Sequence, residues 1–140
     1  MRYKLLFIAL LLILSACAHP YIGLPVRTTG PFWCHTYAFS KSCVIITEHL
    51  KYDFEINYNA VTSECSINGH IEPVSIKSFS NFEVDKSTFY FIFANNGVVV
   101  DVVSFLISSD NLQNNIPLNL TFKTKPFDSV SIDYSFVVSG

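Results

Sequence analysis

The sequence predicts an all-β chain: a single two-sheet β-sandwich, immunoglobulin-like in general shape, with a small β-barrel as the alternative architecture. Apolar and polar residues alternate with a period of two over several stretches beyond residue 32, as in half-buried strands. An Asn-Gly pair at residues 96–97 separates two apolar stretches. No segment longer than a turn has the 3.6-residue periodicity of a helix. These observations together favour strands and turns throughout.

Each predicted strand is recognised by alternation or by apolar character. Residues 51–58 alternate cleanly, and residues 118–122 and 130–138 repeat the pattern. Residues 88–94 and 98–107 are more continuously apolar, which predicts strands that are central in a sheet or covered on both faces. Between them, Asn95-Asn96-Gly97 predicts a hairpin, since the tight turn needs positive φ at both central residues. Residues 109–115 are the best loop candidate.

Composition limits the classes of partner. Half of the 140 residues are hydrophobic and 14% are charged, with 13 Phe and 7 Tyr, so the chain has ample apolar area for a folded core. Without Arg2 and Lys4, seven basic residues stand against eleven acidic ones, a net charge of −4. Nucleic-acid binding needs clustered Lys and Arg, so no nucleic-acid partner is expected.

The N-terminus has the layout of a secretory signal peptide. Arg2 and Lys4 make it basic, and residues 5–14 are apolar. This apolar run is too short to span a bilayer, which needs about 20 residues. A basic start, a short apolar stretch and small residues before a cleavage site are typical of secretion signals.

The residues that end this segment, Leu14-Ser15-Ala16-Cys17, resemble the lipobox of bacterial lipoproteins. The resemblance covers only the first 17 residues. It implies that signal peptidase recognises Leu14, Ser15 and Ala16, that the Cys17 thiol carries a diacylglycerol, and that Cys17 becomes the first mature residue. Two or more acyl chains hold a protein stably on a membrane. Since Ala18 stands where an Asp often retains lipoproteins on the inner membrane, the resemblance favours the periplasmic face of the outer membrane in a Gram-negative organism.

Three regions follow from this interpretation: a signal peptide over 1–16, a lipidated Cys17 with a Pro/Gly tether over 17–31, and the β-sandwich over 32–140. The tether contains Pro20, Pro25, Pro31, Gly23 and Gly30 and lacks periodicity, which is typical of a linker. Its residues beyond Cys17 would span roughly 40 Å if extended. The C-terminal half, with Gly97-Val98-Val99-Val100-Asp101, Ile116-Pro117-Leu118 and Pro126-Phe127-Asp128-Ser129-Val130, faintly resembles uncharacterised small β-domains of bacterial envelope proteins, which implies no function.

The cysteines suggest one disulfide. With Cys17 lipidated, Cys34, Cys43 and Cys65 remain, and an oxidising envelope would pair two of them. Three pairings are open; Cys34–Cys43 is favoured as a short loop that closes the first hairpin. Zinc or copper binding is the competing interpretation, but Cys-x-x-Cys and His-x-x-x-His spacings are missing, so neither a metal nor another cofactor is expected.

Residues for catalysis are sparse. His70 and Glu72 would share a strand face, which suits a base and the carboxylate that orients it. Asp101 interrupts an apolar run, and it would need a partner if it faced inward. Trp33, Tyr37 and Tyr90 are candidates for an aromatic binding platform. A structural role is the favoured interpretation for all of these residues.

The sequence therefore predicts a non-enzymatic interaction or structural module in the cell envelope. Its partners would be the membrane, through the N-terminal lipid, and another envelope protein. The alternative is a small-ligand carrier or envelope enzyme that uses His70, Glu72 or Asp101.

Overall fold

A computed structural model describes residues 19–35, 42–74, 82–106 and 115–138. This part of the chain contains strands and turns and no helix. The strands are β1 (Trp33–His35), β2 (Ser42–Ile46), β3 (Leu50–Asn59), β4 (Glu64–Pro73), β5 (Phe82–Asn95), β6 (Val98–Leu106), β7 (Ile116–Lys123) and β8 (Ser129–Val138). The predicted all-β class is confirmed.

The strands form two antiparallel four-stranded sheets that pack as a sandwich. The first sheet has the order β1-β8-β5-β6 and the second has the order β2-β3-β4-β7. The sheets do not close into a barrel, so the two-sheet sandwich is confirmed over the barrel alternative. Immunoglobulin domains have the same two-layer shape but place strands in the orders ABED and CFG, so the likeness is one of shape and not of strand order.

The core lies between the sheets and is built by the predicted alternation. In β3, Tyr52, Phe54 and Ile56 are buried while the residues between them are partly or fully exposed. Phe91 of β5 meets Phe54 edge to face, with ring centroids 5.4 Å apart. Phe93 packs on Phe127, with centroids 4.7 Å apart. Aromatic side chains from both sheets therefore fill the interior at distances typical of favourable ring pairs.

The β5–β6 hairpin turns at the predicted Asn-Gly pair. Asn96 has φ 50° and Gly97 has φ 75°, which are the positive values that a two-residue turn of this kind requires. A register shift follows between Phe93 and Ala94, so β6 has a β-bulge. β5 is central in its sheet, whereas β6 is an edge strand. The expectation of a central position was therefore correct for β5 alone.

Backbone hydrogen bonds attach the predicted tether to the edge of β6, which differs from the expected extended linker. Gly23 N–H donates to Val99 O (2.8 Å), Val99 N–H donates to Leu24 O (3.0 Å), and Val26 N–H donates to Gly97 O (2.8 Å). Farther along, Ser131 Oγ donates to Phe32 O (2.7 Å). The segment from residue 19 to 32 thus lies along the first sheet and covers part of its edge.

The two ends of the sandwich differ in what they expose. At one, here called the hairpin end, the β3–β4 turn, the β5–β6 turn and the connection between β7 and β8 meet. Thr124 N–H donates to Ser63 O (3.0 Å), and Asp128 N–H donates to Ala94 O (3.0 Å). At the opposite end, here called the far end, β6 terminates at Leu106 and β7 begins at Ile116.

Candidate functional site

His70 and Glu72 lie together on the outer face of the second sheet. Alternation in β4 turns Ile67 and Ile71 into the core, so His70 and Glu72 project from the other face. His70 Nε2 is 2.9 Å from Glu72 Oε1. Lys51 is the cross-strand partner of Glu72, and its Nζ lies 3.7 Å from Glu72 Oε2.

This arrangement is an exposed charge pair rather than an enclosed site. All three side chains are about one-third exposed. Glu72 can orient the His70 ring as a carboxylate orients a general base, but it also neutralises Lys51. An open pocket of about 210 Å³ lies elsewhere, near the β3–β4 turn, and is lined by Asn57, Tyr58, Asn59, Glu64 and Ser66. Its lining includes none of the predicted catalytic residues.

Asp101 lies in the other sheet, on edge strand β6. It is half-buried and pairs across the strands with Phe93 at the β-bulge. Its Oδ1 accepts a hydrogen bond from Val102 N–H (2.8 Å), which supplies the partner that a partly buried carboxylate needs. The structure therefore brings His70 and Glu72 together and leaves Asp101 in a separate environment.

Cys34 and Cys43 form a disulfide, with Cα atoms 5.9 Å apart. The bond does not close a hairpin, because β1 pairs with β8 while β2 pairs with β3. It joins an edge strand of the first sheet to an edge strand of the second. Cys65 is a free thiol that is fully buried in the core, and burial raises its pKa to about 12. Such a thiol is protonated near neutral pH and is a poor nucleophile.

Metal-binding side chains do not converge in the part of the chain that the structure describes. No group of three or more His, Cys, Asp or Glu residues is placed there to hold an ion. Two of the candidate thiols are oxidised, and the third is enclosed by apolar side chains.

A row of contacts from His35 through Ser129 to Asp128, which the sequence did not suggest, links β1 to β8. His35 Nδ1 lies 3.1 Å from Ser129 Oγ, which donates to Asp128 Oδ1 (2.9 Å). The other Asp128 oxygen accepts from Asn96 N–H (2.9 Å). In a hydrolase the imidazole stands between the serine and the carboxylate, whereas here the serine is central and only 1% exposed. These contacts join β1 to the start of β8, and they join the β5–β6 turn to Asp128, the residue directly before β8.

Aromatic side chains gather on the outer face of the first sheet around Tyr90. The His19 ring lies 4.7 Å from Tyr21 and 5.2 Å from Tyr90, measured between centroids. Tyr21 donates its hydroxyl proton to Asp133 Oδ2 (3.3 Å), and the charge of that carboxylate, followed by burial, raises the pKa of Tyr21. Of the predicted platform, Trp33 is half-buried in β1 and Tyr37 lies outside the described residues. Tyr90 instead contacts His19, in the N-terminal segment.

Leu14, Ser15, Ala16 and Cys17 also lie outside the described residues. In the ranges that are described, no helix has the length and apolar character needed to cross a membrane. No protein-family model, curated protein or solved structure matches the chain.

Proposed function

We propose that the protein is a bacterial lipoprotein, anchored to a membrane of the cell envelope through Cys17. The observation that carries the proposal is the order of a basic start, a short apolar stretch and the Leu14-Ser15-Ala16-Cys17 sequence. The described domain begins at His19, so a folded module follows the proposed lipid almost directly. The periplasmic face of the outer membrane is the favoured location in a Gram-negative host.

The domain is proposed to act as a non-enzymatic interaction or structural module that binds another envelope protein. Support comes from the separation of His70 and Glu72 from Asp101, and from exposed apolar side chains at and near the far end. Val44, Ile46, Val74 and Leu106 are all about half exposed or more. β2 and β7 are edge strands of the second sheet, and edges of this kind accept an added strand from a partner.

The anchor is tested by the intact mass of protein extracted from bacterial membranes. The expected mass is that of residues 17–140 plus lipid, with thioether-linked diacylglycerol on Cys17. Cys17→Ser, expressed in parallel, should lose both the lipid and the membrane association. An unlipidated mass for the unmodified chain would contradict the proposed anchor.

The protein partner is tested by site-specific photocrosslinking in intact cells. A photoreactive residue at Ile46 or at Val74 should trap the same adduct, because both positions belong to the proposed binding region. Thr62, an exposed position in the β3–β4 turn at the hairpin end, serves as the matched control. Recovery of monomer alone from Ile46 and Val74 would count against a protein partner.

The second candidate is a small-ligand carrier or envelope enzyme, favoured by the 2.9 Å contact between His70 and Glu72. It predicts that His70→Gln and Glu72→Gln abolish function in cells while the protein stays folded and anchored. The interaction module predicts that both variants retain function and the crosslinked adduct.

A further inference from the structure

We propose that the domain lies on the lipid bilayer itself, through a surface next to the anchor formed by Tyr21, Leu24, Arg27 and Val98. This anchor-side surface rests on the proposed lipidation of Cys17. It adds a fixed orientation: the side of the sandwich that holds the N-terminal segment and β6 lies on the bilayer, and the side that holds β1 and β2 points away from it.

Little chain separates the proposed lipid from the folded domain. The chain is held on the first sheet from His19 onward, by ring contacts with Tyr90 and by the backbone hydrogen bonds of Gly23, Leu24 and Val26. His19 is two residues from Cys17, a separation of at most about 7 Å at 3.3–3.6 Å per residue. A lipid inserted at Cys17 therefore brings the surface around this segment close to the headgroups.

Exposed aromatic and apolar side chains lie in and beside that segment. Tyr21 is 36% exposed, Leu24 is 49% exposed and Val98 is 40% exposed. They are contiguous, since Leu24 N–H donates to Tyr21 O (3.1 Å) and Pro25 forms a β-bridge with Val98. Tyrosine is favoured at the membrane–water interface, and leucine and valine stabilise binding there by burial among the acyl chains.

Basic side chains gather at the hairpin end. Arg27 follows Val26, which is bonded to the β5–β6 turn, and Lys123 and Lys125 flank Thr124, which is bonded to the β3–β4 turn. All three cations are exposed at the hairpin end. Among the described side chains, this end carries three cations against the acids Glu64 and Asp128. Away from the hairpin end, Lys51 stands against six acids: Glu48, Asp53, Glu55, Glu72, Asp101 and Asp133. Of these, Asp133 lies at the margin of the anchor-side surface, where it accepts the hydrogen bond of Tyr21.

This distribution orients the domain in the field of an anionic leaflet. The negative surface potential attracts basic groups and repels acidic ones within about a Debye length. β2 also exposes apolar side chains, but it neighbours the exposed Glu48 and lies on the opposite side of the sandwich, where the disulfide joins it to β1. The anchor does not choose between the two ends of β6, because His19 packs on Tyr90, which pairs with Ser104, two residues from Leu106. The anchor therefore selects the β6 side of the sandwich, and the charges select the hairpin end of that side.

The test measures membrane contact in full-length lipidated protein reconstituted into vesicles. Trp33, the single tryptophan, is replaced by Phe, and one new tryptophan is introduced at a time. Leu24→Trp and Val98→Trp probe the anchor-side surface. Val44→Trp and Ile46→Trp are the matched controls, because these positions are 49% and 56% exposed on β2, on the opposite side of the sandwich. Vesicles contain phosphatidylethanolamine and phosphatidylglycerol with brominated acyl chains, and thermal unfolding verifies that each variant is folded.

Bromine quenching of Leu24→Trp and Val98→Trp is expected to be at least about threefold stronger than that of the controls, since interfacial residues enter the bilayer by about 5–10 Å. Equal quenching at all four positions, or none at residues 24 and 98 in protein that floats with the vesicles, would overturn the inference and leave the anchor standing. Failure of the protein to float with the vesicles would overturn both.

A charge variant gives an independent readout. Lys123→Glu with Lys125→Glu should weaken the quenching of Leu24→Trp in anionic vesicles and leave flotation intact. The same exchange should have little effect in vesicles of phosphatidylcholine alone. If quenching is unchanged in anionic vesicles, the proposed electrostatic orientation is wrong.

Discussion

Gly69 shows how one residue sets the spacing between two strands. It lies opposite Phe54 in the β3–β4 pair, at a position where a side chain would point into the core. A Cβ at this position would collide with Asp53 O and with the Cα and Cβ of Phe54, 2.5 and 2.8 Å away. Backbone cannot move aside as the end of a flexible side chain can, so the close approach of β3 and β4 here requires glycine.

Gly69→Ala is therefore expected to lower the free energy of unfolding by about 1–3 kcal/mol, as overpacking does. Urea denaturation measures the change. Asn68→Ala is the control on the same strand, with its side chain exposed, and should stay within about 0.5 kcal/mol of wild type. Equal effects of the two substitutions would contradict the packing explanation.

Cys65 should be inert in the folded protein. Its thiol is fully buried and its pKa is raised to about 12, so iodoacetamide should modify it only after unfolding. Under native, mildly alkaline conditions no label is expected on Cys34, Cys43 or Cys65, and one label is expected in guanidinium. Rapid labelling of the native protein would show that the core opens at β4.

The same thiol gives stability a pH dependence. The unfolded chain ionises it above about pH 9, while the folded protein keeps it protonated up to about pH 12. The free energy of unfolding should therefore fall within this window, by at most about 1.4 kcal/mol per pH unit. Cys65→Ala removes this contribution, so the difference in slope between the two proteins isolates it.

Single residues were the hardest part to predict. The spacing of His70 and Glu72 sufficed to place them together, because residues two apart on a strand share a face. The contacts among His35, Ser129 and Asp128 had no local signal, since they depend on the pairing of β1 with β8. The partner of Asp101 was equally hidden: it is the backbone N–H of the next residue, at a β-bulge.

At the scale of elements, the Cys34–Cys43 disulfide holds the two sheets together at one side. β1 has three residues and pairs only with β8 among the described strands, so its own hydrogen bonds are few. The cross-link fixes this short edge strand to β2 of the opposite sheet. It compensates for the weak pairing that a three-residue strand can supply.

Removal of this bond by Cys34→Ala with Cys43→Ala should lower the free energy of unfolding by about 2–3 kcal/mol, given the nine-residue separation. Chemical denaturation of the variant measures the loss, and reduced wild-type protein is the control and should show a similar value. An unchanged unfolding midpoint would mean that β1 is held by its packing alone.

The N-terminal segment protects an edge. β6 is apolar and lies at the border of its sheet, where unpaired backbone groups invite association with other chains. The hydrogen bonds of Gly23, Leu24 and Val26 with residues 97–99 occupy part of this border. The Pro and Gly content of the segment predicted a linker because composition does not reveal which edge a segment can reach.

For the molecule as a whole, stability depends on aromatic packing between the sheets. Phe91 is fully buried, meets Phe54 across the interface and stacks on Phe105 at 5.2 Å. One side chain therefore touches both layers. Its removal would leave a cavity that the surrounding sheets, tied by hydrogen bonds and a disulfide, cannot readily close.

Phe91→Ala should lower the free energy of unfolding by about 3–5 kcal/mol. Phe32→Ala is the control, because Phe32 is about half exposed, and it should change stability by about 0.5 kcal/mol or less. Denaturant titrations at equal protein concentration compare the two. A small effect at Phe91 would mean that the core repacks around the lost ring.

The sequence by itself determined the all-β class, the faces of the alternating strands and the turn at Asn96 and Gly97. Each of these follows from local geometry: the two-residue period of a strand and the positive φ of a tight turn. Only the tertiary structure decided that β6 is an edge, that the disulfide joins the sheets, and that the chain from His19 to Val26 is held on the domain. These features depend on which distant segments meet, and that choice is made by the summed packing and hydrogen bonding of the whole chain.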